Sequence, residues 1–201
     1  EMYVLDEELL QKMKEIKFDL AVVDGLYFHG HAYLIAEELE LQFISIAGRF
    51  DPWIQRFPAL PSFVPFIETH LTEKMSFYER LQNTFQMILW ANMKMSEMSL
   101  SPKIRTRYSH ILQKYSVGEL SRRSLLWLIV SDPILDYPRP LLPHILTIGG
   151  ITVRPAKPLP KDLHEFFDGA KEGVIVVSFG SAVVLPHRIV VEMGEAFKQV
   201  P

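Results

Sequence analysis

Residues 7–48 have the sequence EELLQKMKEIKFDLAVVDGLYFHGHAYLIAEELELQFISIAG, in which two hydrophobic periodicities alternate. Two segments space their apolar side chains as amphipathic helices do, residues 7–16 and 31–40. Two others are apolar runs of strand length, residues 18–23 and 42–48. Asp24 and Gly25 follow the first run as a turn signal. Helix, strand, helix and strand at this spacing predict an α/β domain whose parallel sheet is joined by crossover helices.

An aromatic, proline-rich stretch, residues 49–65, interrupts this alternation. Its prolines predict the absence of regular structure, although large aromatic side chains lie among them: Pro52, Pro58, Pro61 and Pro65, with Phe50, Trp53, Phe57 and Phe63. Such a stretch either packs over the core as a loop or forms a wall for an apolar ligand. The pattern alone favours a loop that packs over the core.

The remainder of the first 150 residues predicts two helices and two strands. The helices are residues 74–95 and 102–115, and the strands are residues 125–131 and 144–150. On the first of these helices, five apolar side chains lie near one face and predict core packing: Phe77, Leu81, Phe85, Ile88 and Met95. Residues 132–145 are punctuated by prolines, which excludes them from the centre of a sheet.

A second strand-turn-helix unit is predicted after a proline-rich linker. Residues 152–163 contain Pro155, Pro158 and Pro160, a composition typical of linkers. Beyond them GVIVVSFGS, residues 173–181, has the composition of a buried strand that ends in a small-residue turn. A helix is predicted from Pro186 onward. This order is expected at the start of a second doubly wound domain.

The composition excludes several classes of function. The chain has 201 residues, a formal net charge of −3 and no cysteine. The charge argues against a nucleic-acid surface, and the lack of cysteine rules out disulfides and thiolate metal sites. No apolar run reaches the length of a membrane span, and no secretory signal is visible. The chain opens on Glu1 within a helical pattern and closes on Pro201 just after another, so we expect an internal fragment of a longer protein.

Three groups of polar residues are candidates for chemistry. Asp24 ends a predicted strand, where α/β proteins place catalytic groups, but a turn aspartate bonding to its own backbone is equally compatible. The SFGS turn, Ser178–Ser181, can aim backbone N–H groups at a phosphate, although the motif alone favours a plain strand-to-helix turn. His29 and His31 could bind a metal or act as bases. Two positions apart on a helix they do not share a face, which favours a surface or core-edge role.

Six segments together resemble the UDP-glucuronosyltransferase family, in the family's order and roughly at its spacing. They are FDLAVVD (18–24), ALPSFVP (59–65), LTEKMSFYERLQN (71–83), LDYPRPLLPHILTIGGI (135–151), AKPLPKDLHEFFDGA (156–170) and GVIVVSFGS (173–181). The resemblance covers nearly the whole chain and implies the glycosyltransferase B architecture, two Rossmann-like domains facing each other across a cleft. By this resemblance, residues 1–152 are the C-terminal part of the acceptor-binding domain, 153–172 the linker, and 173–201 the start of the UDP-sugar-binding domain.

The resemblance also implies a reaction. Members transfer a sugar, glucuronate or another hexose, from a UDP-sugar co-substrate to a small lipophilic acceptor, with inversion and without a metal or other cofactor. Asp24 matches the aspartate that orients the catalytic histidine, which should lie upstream of Glu1. Gly180 and Ser181 match the position that meets the donor diphosphate. Val130 and Ser131 stand where many glucuronosyltransferases carry a basic residue, which leaves the donor sugar open.

The resemblance implies a location and a set of partners as well. Members are proteins of the endoplasmic-reticulum membrane, so membrane association would come from segments outside this chain, and no nucleic-acid partner is expected. Whether the protein forms homo- or hetero-oligomers stays open. We expect the 201-residue chain itself to be inactive, because the base and most of the donor site would lie outside it.

Two other functions compete with this interpretation. A non-catalytic binding or partner protein can be built on the same fold, and replacement of the upstream histidine would support it. A hydrolase that uses Asp24 with His29 and His31 would instead show metal- or pH-dependent hydrolysis without a UDP-sugar.

Overall fold

A computed structural model describes residues 6–26, 29–67, 69–93, 100–181 and 183–199 of the chain. The chain divides into two compact units, Glu1–Val153 and Arg154–Pro201.

The first unit is built on a parallel sheet. Its strands are β1 (Ala21–Asp24), β2 (Phe43–Ala47), β3 (Trp127–Ile129) and β4 (Ile145–Thr147). They lie in the order β1-β2-β3-β4, and every neighbouring pair is parallel. In the register of the first pair, Asp24 stands opposite Ile46. The predicted α/β class and its parallel sheet are confirmed.

Helices precede the first strand and connect the first three strands, whereas the described residues between β3 and β4 contain no helix. The helices are α1 (Glu7–Ile16), α2 (Gly30–Glu38), α3 (Pro52–Gln55), α4 (Phe77–Asn92), α5 (Pro102–Arg107), α6 (Ser109–Leu112) and α7 (Val117–Ser121). Several begin at side chains that satisfy free backbone N–H groups: Asp6 caps α1, while Ser76 and Ser116 open capping boxes with Glu79 and Glu119.

The core lies on one face of the sheet, against α2 and the α5–α7 region. Alternate strand residues point into it, among them Val23, Phe43, Trp127, Ile129 and Ile145, and they meet Leu34, Ile104, Tyr108 and Leu120 from the helices. The opposite face is open, since Val22 is 60% exposed. Because strand residues alternate between faces, Asp24 lies on the same face as Val22, and its side chain is 53% exposed.

Three predictions for the first unit are corrected. Residues 49–65 contain a turn of helix, α3, because Pro52 takes the first helical position, where its missing N–H costs nothing, and Asp51 caps it. The helix predicted over residues 102–115 is two helices, α5 and α6, because the backbone at Tyr108 leaves helical geometry (φ −101°, ψ 24°).

The third correction concerns which face of α4 is buried. Four of the predicted core residues are more than half exposed: Phe77, Leu81, Phe85 and Ile88. Met95 lies outside the described residues. The side chains that α4 buries are Asn83 and Met87.

The second unit contains helices α8 (Lys161–Gly169) and α9 (His187–Phe197). Helix α9 confirms the helix predicted after Pro186, whereas α8 lies inside the segment 153–172 predicted to be a linker. Residues 173–181 do not form the predicted strand, since no described segment hydrogen-bonds to them as a ladder, and a strand needs such a partner. None of the described side chains in this unit is buried, and Val176 is 76% exposed.

Candidate functional site

Asp24 holds its carboxylate at the carboxyl end of β1 through two contacts. The backbone N–H of Leu26 donates to Oδ1 at 3.1 Å, which closes a turn of the kind aspartate commonly forms. Oδ2 lies 2.9 Å from Nδ1 of His29. The side chain therefore serves the turn and also faces an imidazole, so both interpretations from the sequence are compatible with its geometry.

Gly25 fixes the end of β1 against the sheet. Its N–H donates to the carbonyl of Ile46 at 2.7 Å. A Cβ atom at this position would lie 2.5 Å from Cζ3 of Trp127, a ring that is 1% exposed. A side chain at position 25 would clash with the buried indole and displace the backbone. Glycine at this position therefore determines where the backbone of Asp24 lies.

A buried pair of hydroxyl groups lies near Asp24. The hydroxyl of Tyr33 on α2 and Oγ of Ser45 on β2 are 3.1 Å apart, and both residues are buried. Burial raises the pKa of Tyr33 to about 12; the bond with Ser45 lowers it, while the negative charge of Asp24 raises it further. Tyr33 is therefore a protonated structural group at neutral pH and not a base.

His29 has a partner that its position in the sequence did not predict. The sequence favoured a surface or core-edge role for His29 and His31; the His29 side chain is 41% exposed, and it also contacts Asp24. His31 packs its ring edge-on against His29, with centroids 6.0 Å apart. Within the described residues, no group of three or more histidine, aspartate or glutamate side chains could hold a metal ion.

A cavity of about 280 Å³ opens at the same end of the sheet, beyond β2. Most of its wall comes from residues 48–71, including Phe50, Trp53 and Phe66. Helix α4 contributes Met87 and Trp90, and the loop after β3 contributes Asp136, Tyr137 and Arg139. The proline-rich stretch thus forms a cavity wall. Its Phe57 belongs both to this wall and to the buried core, whereas Phe63 is not part of the wall.

One cationic side chain of the cavity wall, that of Arg139, is tied to its surroundings. The Arg139 guanidinium stacks over the ring of Phe50 at 4.0 Å and donates to Oδ1 of Asp136 at 2.9 Å. Asp136 accepts a second bond, from the hydroxyl of Ser131 at 2.8 Å. Burial lowers the pKa of Arg139, and the charge of Asp136 opposes this shift. The positive charge of Arg139 is therefore held in place and largely neutralised by Asp136.

Two buried polar side chains, one of them in the cavity wall, hold α3 in place. Asp51 accepts from the backbone N–H groups of Trp53 and Ile54, both at 2.9 Å. Gln55, 2% exposed, donates from Nε2 to the carbonyl of Arg49 at 2.9 Å. The backbone carbonyl of Gln55 lies 2.7 Å from Nε2 of His144, the residue before β4. Neither Gln55 nor His144 was predicted from the sequence, because a contact between residues 89 positions apart leaves no periodic signal.

Gly180 and Ser181 lie in a turn of the second unit. Gly180 has a φ of 71°, a conformation that glycine adopts easily, and its N–H donates to Oγ of Ser178 at 3.4 Å. Both residues are exposed. Helix α9 begins at His187, six positions after Ser181, with Pro186 at its N-cap.

No helix in the described parts of the chain has the length and apolar character needed to cross a bilayer.

Comparison with known proteins identifies relatives over the whole chain. Residues 1–201 match the family described as UDP-glucoronosyl and UDP-glucosyl transferase. The chain is 35% identical to 2-hydroxyacylsphingosine 1-beta-galactosyltransferase of Rattus norvegicus, over 100% of this chain and 37% of the relative. It is 32% identical to UDP-glucuronosyltransferase 3A1 of Xenopus laevis, over 96% of this chain and 38% of the relative.

A third relative, UDP-glucuronosyltransferase 2B17 of Mus musculus, is 36% identical over 90% of this chain and 34% of its own length. The chain thus spans 34 to 38% of the length of these relatives. No solved structure matches it significantly.

Proposed function

Because this chain belongs to the family of UDP-glucoronosyl and UDP-glucosyl transferases, we propose that the full-length protein transfers a sugar from a UDP-sugar to a small lipophilic acceptor. The sugar is glucuronate or another hexose. The first unit contributes to the acceptor side and the second unit to the donor side.

The placement of Asp24 carries the proposal. It ends β1 opposite Ile46 in the sheet, and the cavity wall begins at Gly48, two residues after Ile46 on the neighbouring strand. The carboxyl edge of a parallel sheet is where α/β proteins bind ligands. An acidic group and an apolar cavity therefore stand at the edge where an acceptor would bind.

The cavity favours a small, apolar acceptor. Its volume of about 280 Å³ lies just below the range of small-molecule sites, which are roughly 300–1,000 Å³. Aromatic side chains from Phe50, Trp53 and Trp90 supply flat apolar surface. The ion pair of Arg139 with Asp136 supplies polar groups on one side. Alcohols, phenols and acids of modest size fit this chemistry.

In the proposed reaction, a histidine removes the proton of the acceptor hydroxyl, and the resulting oxygen attacks the anomeric carbon. The attack comes from the face opposite UDP, which leaves with the bonding electrons, so the anomeric configuration inverts. Asp24 holds the histidine in the productive tautomer and stabilises its charged form. No metal ion takes part in the proposal, so a chelator should leave the rate unchanged.

The donor diphosphate would contact the turn that contains Gly180 and Ser181. The glycine conformation leaves the backbone open to close approach, and the serine hydroxyl is exposed. Hydroxyl and backbone N–H groups suit phosphate oxygens.

The test is product formation by the full-length protein, purified in a membrane-mimicking detergent. UDP-glucuronate, UDP-glucose, UDP-galactose and UDP-xylose are each offered with a phenol, a steroid alcohol and a hydrophobic carboxylic acid. Acceptor-dependent UDP release with a glycoside product supports the proposal. We expect the 201-residue chain alone to give no turnover, because it spans 34 to 38% of the relatives' length.

A non-catalytic binding protein remains the competing function, because the same fold supports both. It predicts that a lipophilic ligand binds in the cavity and raises the Tm of the protein, while no UDP is released from any donor. Hydrolysis of an ester without a UDP-sugar would instead support a hydrolase that uses Asp24 and His29.

A further inference from the structure

We propose that His29 is a positioning residue that holds the carboxylate of Asp24 through its Nδ1–H group. The inference rests on the proposed function, because it assigns the group that orients the acidic residue of that reaction. It assigns the base itself to another histidine.

Two donor groups lie against the Asp24 carboxylate, one at each oxygen. Oδ1 accepts from the N–H of Leu26 at 3.1 Å. Oδ2 lies 2.9 Å from Nδ1 of His29, at ion-pair distance but without the alignment of a full hydrogen bond. Such bonds are often poorly aligned before a substrate binds. Within the described chain Nδ1 is buried and forms no well-aligned hydrogen bond, and Oδ2 lies close enough to accept one from it.

The side chain of His29 has no structural role in its own helix. His29 occupies the N-cap position of α2, yet its side chain makes no capping bond. Serine, threonine, asparagine or aspartate would stabilise the helix better there. Residues that break a local rule of helix stability are often functional. His29 does so, because it leaves the helix uncapped and contacts an acidic group across a turn.

The exposure of the pair leaves room for a second histidine and an acceptor. The His29 side chain is 41% exposed although Nδ1 is buried, so its exposed surface belongs to its other atoms. The Asp24 side chain is 53% exposed, which leaves part of its surface open beside the His29 contact. The ring of His31 packs edge-on against that of His29, with centroids 6.0 Å apart.

Isosteric variants of the full-length protein separate positioning from other roles. In His29→Asn the amide nitrogen takes nearly the place of Nδ1 and can still donate to Asp24, whereas His29→Leu fills similar space without a donor. We expect kcat to fall by about tenfold to a hundredfold in His29→Leu, as for other small misplacements of catalytic groups. It should stay within about threefold of wild type in His29→Asn, and both KM values should be unchanged. His31→Gln is the matched control and should retain kcat.

Two kinetic outcomes would overturn the inference. Equal loss of kcat in His29→Asn and His29→Leu would show that the imidazole itself is required, as a base is. Unchanged kcat in both would show that the contact has no part in the reaction.

The imidazole tautomer provides a measurement that does not depend on activity. At about pH 8, where histidine is normally neutral, nitrogen chemical shifts of the full-length protein should show the Nδ1–H tautomer at His29. In Asp24→Asn the Nε2–H tautomer should gain population, because the carboxylate no longer selects Nδ1–H. A dominant Nε2–H tautomer in the unsubstituted chain would overturn the inference even if the enzyme is active. Absence of sugar transfer by the wild-type protein would instead refute the proposed function, and the tautomer would still decide whether His29 donates to Asp24.

Discussion

Asn83 ties a proline-containing loop to α4 through three hydrogen bonds. Its Oδ1 accepts from the N–H of Phe66 at 2.7 Å, while Nδ2 donates to the carbonyls of Pro61 and Val64 at 2.9 and 2.8 Å. Asn83 is 0% exposed, so no water can replace these partners. One side chain thereby satisfies three backbone groups of a loop that borders the cavity.

We predict that Asn83→Asp destabilises the fold strongly. The aspartate would place an oxygen against two carbonyl oxygens that have lost their donor, which should cost about 2–4 kcal/mol. The free energy of unfolding from urea titration measures this. Asn92→Asp, on the exposed end of the same helix, is the matched control, because Asn92 also donates to a backbone carbonyl, that of Ile88. Its effect should stay within about 0.5 kcal/mol, and equal losses in the two variants would contradict the buried role of Asn83.

Ser181→Ala should weaken the donor interaction in the full-length protein. A hydroxyl bonded to a charged phosphate oxygen contributes about 1.5–3 kcal/mol, which corresponds to a donor KM raised about tenfold or more. Initial rates with UDP-sugar and acceptor varied separately measure it. Ser178→Ala, in the same turn, should change the donor KM less. A change confined to the acceptor KM would place Ser181 outside the donor site.

The sequence predicted Asp24 as a candidate but not its partner. The end of an apolar strand followed by glycine is a local pattern, and the structure places Asp24 at that end. His29 lies five positions later, and its contact depends on how the turn folds back, which periodicity does not describe. Gln55 and His144 are further examples, because 89 positions separate the two ends of their bond.

Helix α4 illustrates the limit of periodicity for a whole element. The pattern predicted the helix, whose bounds are Phe77–Asn92, but assigned its buried face wrongly. Two faces of this helix carry apolar side chains, and tertiary packing buries the one that includes Met87. The capping box of Ser76 and Glu79, by contrast, is local and is visible in the sequence as Ser-x-x-Glu.

The two faces of α4 should respond differently to truncation. Met87→Ala removes a side chain that is 6% exposed and should cost about 2–5 kcal/mol. Phe85→Ala removes one that is 59% exposed and should change stability by no more than about 0.5 kcal/mol. Urea denaturation of both variants under identical conditions measures the difference. A larger loss in Phe85→Ala would show that the predicted face, and not the observed one, is packed.

Across the whole chain, apolar strand patterns predicted strands correctly in the first unit but not in the second. The four-stranded parallel sheet of the first unit follows from the alternation of helical and strand patterns. Residues 173–181 have an equally apolar composition, yet they form no strand because no described segment pairs with them. Strand composition predicts only the capacity to pair, whereas a sheet requires both partners.

A charged cluster links several helices and predicts how stability depends on pH. Glu38, at the end of α2, bonds to Lys14 of α1 at 3.1 Å and lies 2.9 Å from Nε2 of His110 on α6. Burial alone would raise the pKa of Glu38, but Lys14 and His110 outweigh it and hold the pKa below its ordinary value of 4.5. The folded state therefore favours the carboxylate.

We predict that this contribution to stability is complete above the ordinary pKa of 4.5 and is lost as the pH falls through the lower folded value. The difference in unfolding free energy between wild type and Glu38→Gln should be constant at neutral pH and shrink in acid. Urea titrations from about pH 7 to about pH 3 measure it. Glu8→Gln removes an exposed contact with Lys12 and should have a small effect at every pH. A difference for Glu38→Gln that grows in acid would contradict the assignment.

The kcat of Asp24→Asn in the full-length protein tests the proposed transfer reaction most directly. Asparagine keeps the size and the turn bond of Asp24 but loses the charge that stabilises a protonated histidine. We predict that kcat for sugar transfer falls on the order of 10²–10⁴, while UDP affinity and Tm stay at wild-type values. A well-folded Asp24→Asn enzyme with near-normal kcat would contradict this account and leave Asp24 as a turn residue.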